Sequence, residues 1–176
     1  MKDKINIGFI GAGNLGRHAI LGLIDSYEIN VSDPMQNQEI LSLGITYISI
    51  EELCKNSDVI FLTIKPNISE EILSKVSDYI DDKLIISFIA GMSLKKLEKL
   101  LSSKNIIRAM PSLGISNGLS PIAVCSNHGV EISSGEKILN KLGRCMEIEE
   151  SKFDAFTSIF GAGPAYISYL AKLLSE

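Results

Sequence analysis

Short β-rich runs alternate with helical patterns along nearly the whole 176-residue chain, and this order predicts an α/β fold. The predicted architecture is a doubly wound, mostly parallel sheet covered by helices on both sides. Two further observations carry the prediction. Residues 59–64 form an uninterrupted apolar run with one threonine, the length and composition of a central parallel strand. A glycine cluster, Gly11, Gly13 and Gly16, directly follows the first such run.

The elements follow in order. Residues 5–10 read as a strand buried on both faces, and Leu15, Ala19 and Leu23 then recur at helical spacing. Glu28–Ser32 is the next strand. Asp33-Pro34 has the form of an N-cap followed by a proline at the first helical position. After Lys65-Pro66, Asn67 and Glu70 have the spacing of a capping box, with Ile68, Ile72 and Val76 as the apolar stripe and Leu73 beside it. Strands at 84–89 and 105–110 flank a capped helix at 93–101. Weaker strands at 121–125 and 145–148 surround a helix near 135–142.

Beyond about residue 150 the character changes. Phe153, Phe156, Ile159 and Phe160 lead into Gly161-Ala162-Gly163-Pro164, and 166–174 form another apolar-rich helix. The organisation expected is a dinucleotide-binding domain over 1–150 and the first segment of a helical domain over 151–176. A terminal helix this apolar needs a surface to cover.

Composition excludes several functions. A net charge of -4 and a pI near 5.3 argue against a nucleic-acid face. The densest basic group, Lys95, Lys96 and Lys99, is interrupted by Glu98 and reads as a solvated helix face. Cys54, Cys125 and Cys145 lack metal or redox spacing and read as buried thiols of a reducing compartment. His18 and His128 have no ligand-spaced partners, so no metal is expected. No secretory signal is recognisable, and no apolar run approaches the ~18 residues of a membrane span. A cytoplasmic protein is expected.

The chemistry-bearing motif is Gly11-Ala12-Gly13-Asn14-Leu15-Gly16, a GxGxxG between a predicted strand and a predicted helix. The first glycine makes the tight turn and the second lets the backbone approach a pyrophosphate. The third allows close helix–strand packing, while the helix N-terminus offers N–H groups to phosphate. In this context the motif marks a Rossmann-like nucleotide site. Asp33, just past the second strand, is placed to hydrogen-bond an adenosine ribose and to repel a 2′-phosphate, which leans towards NADH; it also reads as a helix cap. Thr63, Lys65 and Pro66 end the third strand, where the lysine either faces cofactor phosphate or ribose or is a surface residue. Ala90 and Gly91 end the next strand in small residues, which suit both a nicotinamide ring and any tight turn.

The segments IGFIGAGNLG, SDVIFLTIKP, LIISFIAGMSLKKLEKLL, IIRAMPS and GAGPAYISYL together resemble the pyrroline-5-carboxylate reductases. The resemblance implies NAD(P)H-dependent reduction of the cyclic imine 1-pyrroline-5-carboxylate to proline. It also implies a homo-oligomer in which C-terminal helical parts of two subunits interleave. On this likeness Gly11, Gly13, Asn14, Leu15 and Gly16 hold the pyrophosphate. Thr63, Lys65 and Pro66 follow the cofactor, and Ala90 and Gly91 flank the nicotinamide. The chain departs from the family in two places. Ser112 stands where the family usually has asparagine after Met-Pro, and the substrate-holding Ser-Pro-Gly-Gly-Thr-Thr segment has no counterpart. The catalytic residues are therefore not assigned, and this chain by itself is expected to bind cofactor with little or no turnover. β-Hydroxyacid dehydrogenases and deazaflavin-dependent NADP reductases share the opening motif, but not Ile-Lys-Pro or Gly-Pro-Ala-Tyr. A nucleotide-binding regulatory paralogue without catalysis is the alternative from another functional class.

Overall fold

Seven strands form one sheet among the residues that the computed structural model describes, 5–80 and 83–175. They are β1 (Asn6–Ile10), β2 (Glu28–Ser32), β3 (Val59–Leu62), β4 (Leu84–Ser87), β5 (Ile106–Met110), β6 (Ser120–Ser126) and β7 (Gly143–Glu147). Their spatial order is β2-β1-β3-β4-β5-β6-β7. Neighbours run parallel except β5 and β6, which are antiparallel. The continued parallel alternation expected there gives way because only a 3-10 turn, Leu113–Asn117, lies between these two strands. A parallel return needs a crossover of about a dozen residues or more.

The helices are α1 (Asn14–Leu23), α2 (Gln38–Ser42), α3 (Ile50–Asn56), α4 (Pro66–Val76), α5 (Leu94–Leu101), α6 (Ser133–Leu139), α7 (Phe153–Phe156) and α8 (Gly163–Ser175). They cover both faces, as a doubly wound sheet requires. On one face Ile7, Phe9, Phe61, Ile86 and Ile107 pack with Ala19, Ile20 and Leu23 of α1 and Ile138 and Leu139 of α6. On the other, Ile10, Ile60, Leu62, Ile85 and Ile106 pack with Leu53 of α3, Leu73 of α4 and Leu97 of α5. Strand residues of alternating parity feed the two cores, which explains why the runs are apolar throughout.

Three local expectations are corrected. Asp33-Pro34 does not start a helix: the Asp33 carboxylate accepts the N–H groups of Ala12 and Met35, and α2 begins later, capped by Asn37. Asn37 Oδ1 accepts from the N–H groups of Glu39 and Ile40, while its own N–H donates to the Tyr47 hydroxyl. The capping box at Asn67 and Glu70 is also absent. Lys65 is the N-cap and Pro66 the first helical residue, and Glu70 pairs with Lys96 of α5 at 2.5 Å. The earlier start leaves Ile68 exposed and Ile72 half-buried, so the face packed inward is Ser69, Leu73 and Val76. Of the three cysteines, Cys54 and Cys125 are buried, whereas Cys145 on β7, at the end of the strand order, is only half-buried. Helix α3 was not anticipated, although Ser49, which caps it through the Glu52 N–H, gave a sequence signal.

The last segment divides in two. Phe153 and Phe156 of α7 enter the second core, and the chain then widens into a π-helical turn, Thr157–Gly161. No residue of α8 is buried; Tyr166 is 65% exposed and Leu174 81%. Its apolar side chains find no cover on this domain. No helix of the described residues is long and apolar enough to cross a membrane.

Candidate functional site

The sheet grows from β1 to β2 in one direction and from β1 to β3 in the other. Such a reversal opens a crevice at the carboxyl ends of the strands. The glycine loop leaves β1 at this point. Gly11 has φ +96°, and a Cβ there would lie 2.8 Å from Ile64 Cγ2 and 2.9 Å from the Thr63 carbonyl oxygen. A Cβ on Gly16 would sit 2.5 Å from the Gly11 carbonyl oxygen. Both glycines are thus required by the protein's own packing. Gly13 differs: a Cβ there would meet nothing within 4 Å, so its side faces open space. The protein does not itself need glycine at that position, and a closely approaching ligand would.

Gly13 is also the N-cap of α1 and offers no side-chain acceptor. The Arg17 N–H donates to the Gly13 carbonyl at 2.8 Å, which leaves the amides of the first turn outside the helical ladder. No acidic residue stands in that turn. A helix end with free N–H groups and no acidic side chain in its own first turn attracts anions, phosphate among them.

Two side chains brace the loop from either flank. Thr63, following β3, donates its hydroxyl to the Gly11 carbonyl at 2.5 Å. Asp33, following β2, accepts the Ala12 N–H on Oδ2 at 2.7 Å and the Met35 N–H on Oδ1 at 2.7 Å. Lys65 is exposed at the α4 N-cap, followed by exposed Pro66. Beyond β4, Ala90 and Gly91 are exposed, with Gly91 at φ +68°. Along the rim, in strand order, stand Asp33, the Gly11–Gly16 loop, Thr63 to Pro66, and Ala90 with Gly91. The span of three strand spacings is about 14 Å. Leu15 is half-buried against the first core, while Asn14 is exposed.

A second polar group lies beside Gly91 and was missed in the sequence. Arg108, on β5, is 4% exposed and its Nη1 lies 3.0 Å from Glu150 Oε1. Its guanidinium stacks 4.4 Å over the centroid of the Phe153 ring, and its Nε has no partner. Glu150 Oε1 also accepts the Leu94 N–H at 2.6 Å, at the start of α5. Gly91, Ser93, Arg108, Glu150, Ser151 and Asp154 line a cavity of about 420 Å³. An arginine inside the apolar run IIRAM was the available signal, because a charge in a buried strand demands a partner. Ser112 is buried, and its N–H donates to Ser120 Oγ at 2.7 Å. Burial pushes the Cys54 and Cys145 thiols up to about 11 and Cys125 to about 12, so none is a thiolate nucleophile near neutral pH.

Comparison with known proteins accords with this geometry. A family model described as NADP oxidoreductase coenzyme F420-dependent matches residues 6–91, the part that carries the glycine loop and β1 to β4. The pyrroline-5-carboxylate reductase of Aquifex aeolicus is 35% identical over 93% of this chain. The NADP-bound crystal structure of the Plasmodium falciparum pyrroline carboxylate reductase superposes on 99% of the chain with a TM-score of 0.88 and 29% identity. The chain is thus similar to pyrroline-5-carboxylate reductases over nearly its whole length. The corresponding enzyme of Streptococcus pyogenes, at 27% identity and a TM-score of 0.84, covers 94% of the chain. The likeness to the P. falciparum structure covers 99% of the chain, well beyond the residues that the family model matches. The chain spans 64% of the length of the A. aeolicus relative and 68% of the P. falciparum chain.

Proposed function

We propose that this chain forms the dinucleotide-binding part of an NAD(P)H-dependent reductase that converts 1-pyrroline-5-carboxylate to proline. The observation that carries the reading is the open face at Gly13, set on the free N-terminus of α1 at the switch point of the sheet. The donor set suits the nicotinamide dinucleotide: amides for a pyrophosphate, a carboxylate for a ribose, and small residues further along the rim. When bound, the dinucleotide supplies the hydride. Gly13, Asn14, Leu15 and Gly16 present the amide cradle, and Gly11, whose own N–H donates to the Ser32 carbonyl, makes the turn into it. Asp33 keeps unshared lone pairs for a ribose hydroxyl while bracing Ala12, and its negative charge favours NADH over NADPH. Thr63 holds the cradle in shape through the Gly11 carbonyl, Lys65 offers a cation beside it, and Pro66 fixes the chain leaving the sheet. Ala90 and Gly91 leave room for the nicotinamide ring.

Reduction of a protonated C=N bond needs no activated nucleophile, so the protein's part is orientation and electrostatics. Residues 1–150 serve this cofactor site, and residues 151–176 open the helical part that brings two subunits together. The unburied apolar side chains of α8 support self-association. We place the enzyme in the cytoplasm, where its free thiols stay reduced.

Titration of the chain with NADH and NADPH, followed by nicotinamide fluorescence, tests the site. Saturable binding, tighter for NADH, is the expected result. Tighter NADPH binding would reduce Asp33 to a loop brace, and absence of binding would overturn the site. Production of proline from the imine by the dimeric protein tests the activity.

A further inference from the structure

Arg17, in the first turns of α1, forms a salt bridge with Glu39, in the first turn of α2. Arg17 Nη2 also lies 3.4 Å from Asn14 Oδ1. The pair ties the helix that follows the glycine loop to the helix that follows β2. It thereby bridges the start of the cradle and the far end of the 33–37 loop, whose first residue is Asp33. The chain contains only three arginines, and the other two, Arg108 and Arg144, stand on β5 and β7 in the opposite half of the sheet. Arg17 is therefore the guanidinium available to the adenosine end of the proposed site.

We infer that Glu39 is a specificity-determining residue: by holding Arg17 it withholds the cation that would otherwise bind a 2′-phosphate. The inference rests on the proposed placement of the adenosine ribose at the end of β2. Asp33 alone is a weak discriminator, because two backbone N–H groups already share its charge. Asp33, Glu39 and Arg17 together carry one net negative charge, with the planar donor fork of the arginine occupied. Removing the Glu39 charge brings the trio to neutrality and frees that fork for a phosphate, which it matches bidentately.

The test is titration of the wild-type chain, Glu39→Gln and Arg17→Met/Glu39→Gln with NADH and with NADPH, at low and high salt. In Glu39→Gln the ratio of NADPH to NADH affinity rises about tenfold at low salt, as one partly exposed charge-assisted contact allows, and the gain shrinks at high salt. The double variant loses the gain. A melting temperature for each variant separates loss of fold from loss of selectivity. NADH binding by the wild type with an unmoved affinity ratio in a folded Glu39→Gln overturns the inference and leaves the dinucleotide reading standing. Failure of the folded wild type to bind either cofactor overturns both.

Discussion

Glu150→Ala tests how the sheet is joined to the segment that leads into α8. One carboxylate oxygen serves two partners, the Leu94 N–H at 2.6 Å and Arg108 Nη1 at 3.0 Å. Losing an acceptor at the first turn of a helix costs about 1 kcal/mol. Breaking a fully buried ion pair costs about 3–5 kcal/mol, because the remaining charge is left unpaired. Here Arg108 is buried but the Glu150 side chain is 33% exposed, so water reaches one partner and about 2 kcal/mol is the better figure for this pair. The sum, about 3 kcal/mol, corresponds to a fall in melting temperature of roughly 6–12 °C for a domain of this size. Glu150→Gln keeps an oxygen for Leu94 and loses the charge, so it should fall between Ala and wild type. Replacing Arg108 by Met in the Gln background should recover part of the loss, since the buried guanidinium otherwise keeps only the exposed Asp154 carboxylate at 4.0 Å. Urea unfolding followed by far-UV circular dichroism measures all three. Glu150→Ala within about 0.5 kcal/mol of wild type would refute the assignment of a shared anchoring role.

Other outcomes follow from the same geometry. Gly13→Val should leave the free protein within about 1 kcal/mol of wild type while abolishing cofactor binding, because its added atoms project where the protein has none. Gly16→Ala should destabilise by about 3 kcal/mol or more, since its Cβ meets a backbone carbonyl; equal melting temperatures for the two variants would contradict this contrast. The thiols of Cys54, Cys125 and Cys145 are raised from an ordinary value of 9.0 to about 11–12 by burial. Above pH 9 the unfolded chain gives up protons that the folded chain retains, so their contribution to stability is complete below pH 9 and is lost as pH rises through 11–12. Stability that stays flat from pH 9 to 11 in urea titrations would count against it, and Cys125→Ala should flatten part of the slope. Leu170→Glu on α8 should shift sedimentation equilibrium towards monomer, and a wild type that is already monomeric at high concentration would disprove self-association through this helix.

The parts of the site legible in the sequence were those whose meaning is local. GxGxxG after an apolar run carries its own turn geometry, and Gly11 and Gly16 adopt it because Thr63 packs against both. The Ser93 cap of α5 was equally readable, since an N-cap contact reaches only to the next turn. Asp33 was misread as a cap because the same residue type satisfies nearby amides in either role, and its partner, Ala12, is brought in by the β1–β2 pairing. Arg108 with Glu150, and Arg17 with Glu39, join residues far apart in sequence. No periodicity records such a pair.

The order of apolar runs and helical patterns determined by itself that this chain is a doubly wound α/β domain with its glycine loop after the first strand. Strand and helix periods are set by backbone geometry, and burial of both sheet faces selects them. Tertiary structure decided the rest: the antiparallel return at β6, the true starts of α2 and α4, the alignment of four loops along one rim, and the uncovered face of α8. These depend on connection length, on which polar groups meet across the sheet, and on what is left to cover the last helix. Such quantities exist only once distant segments have been brought together.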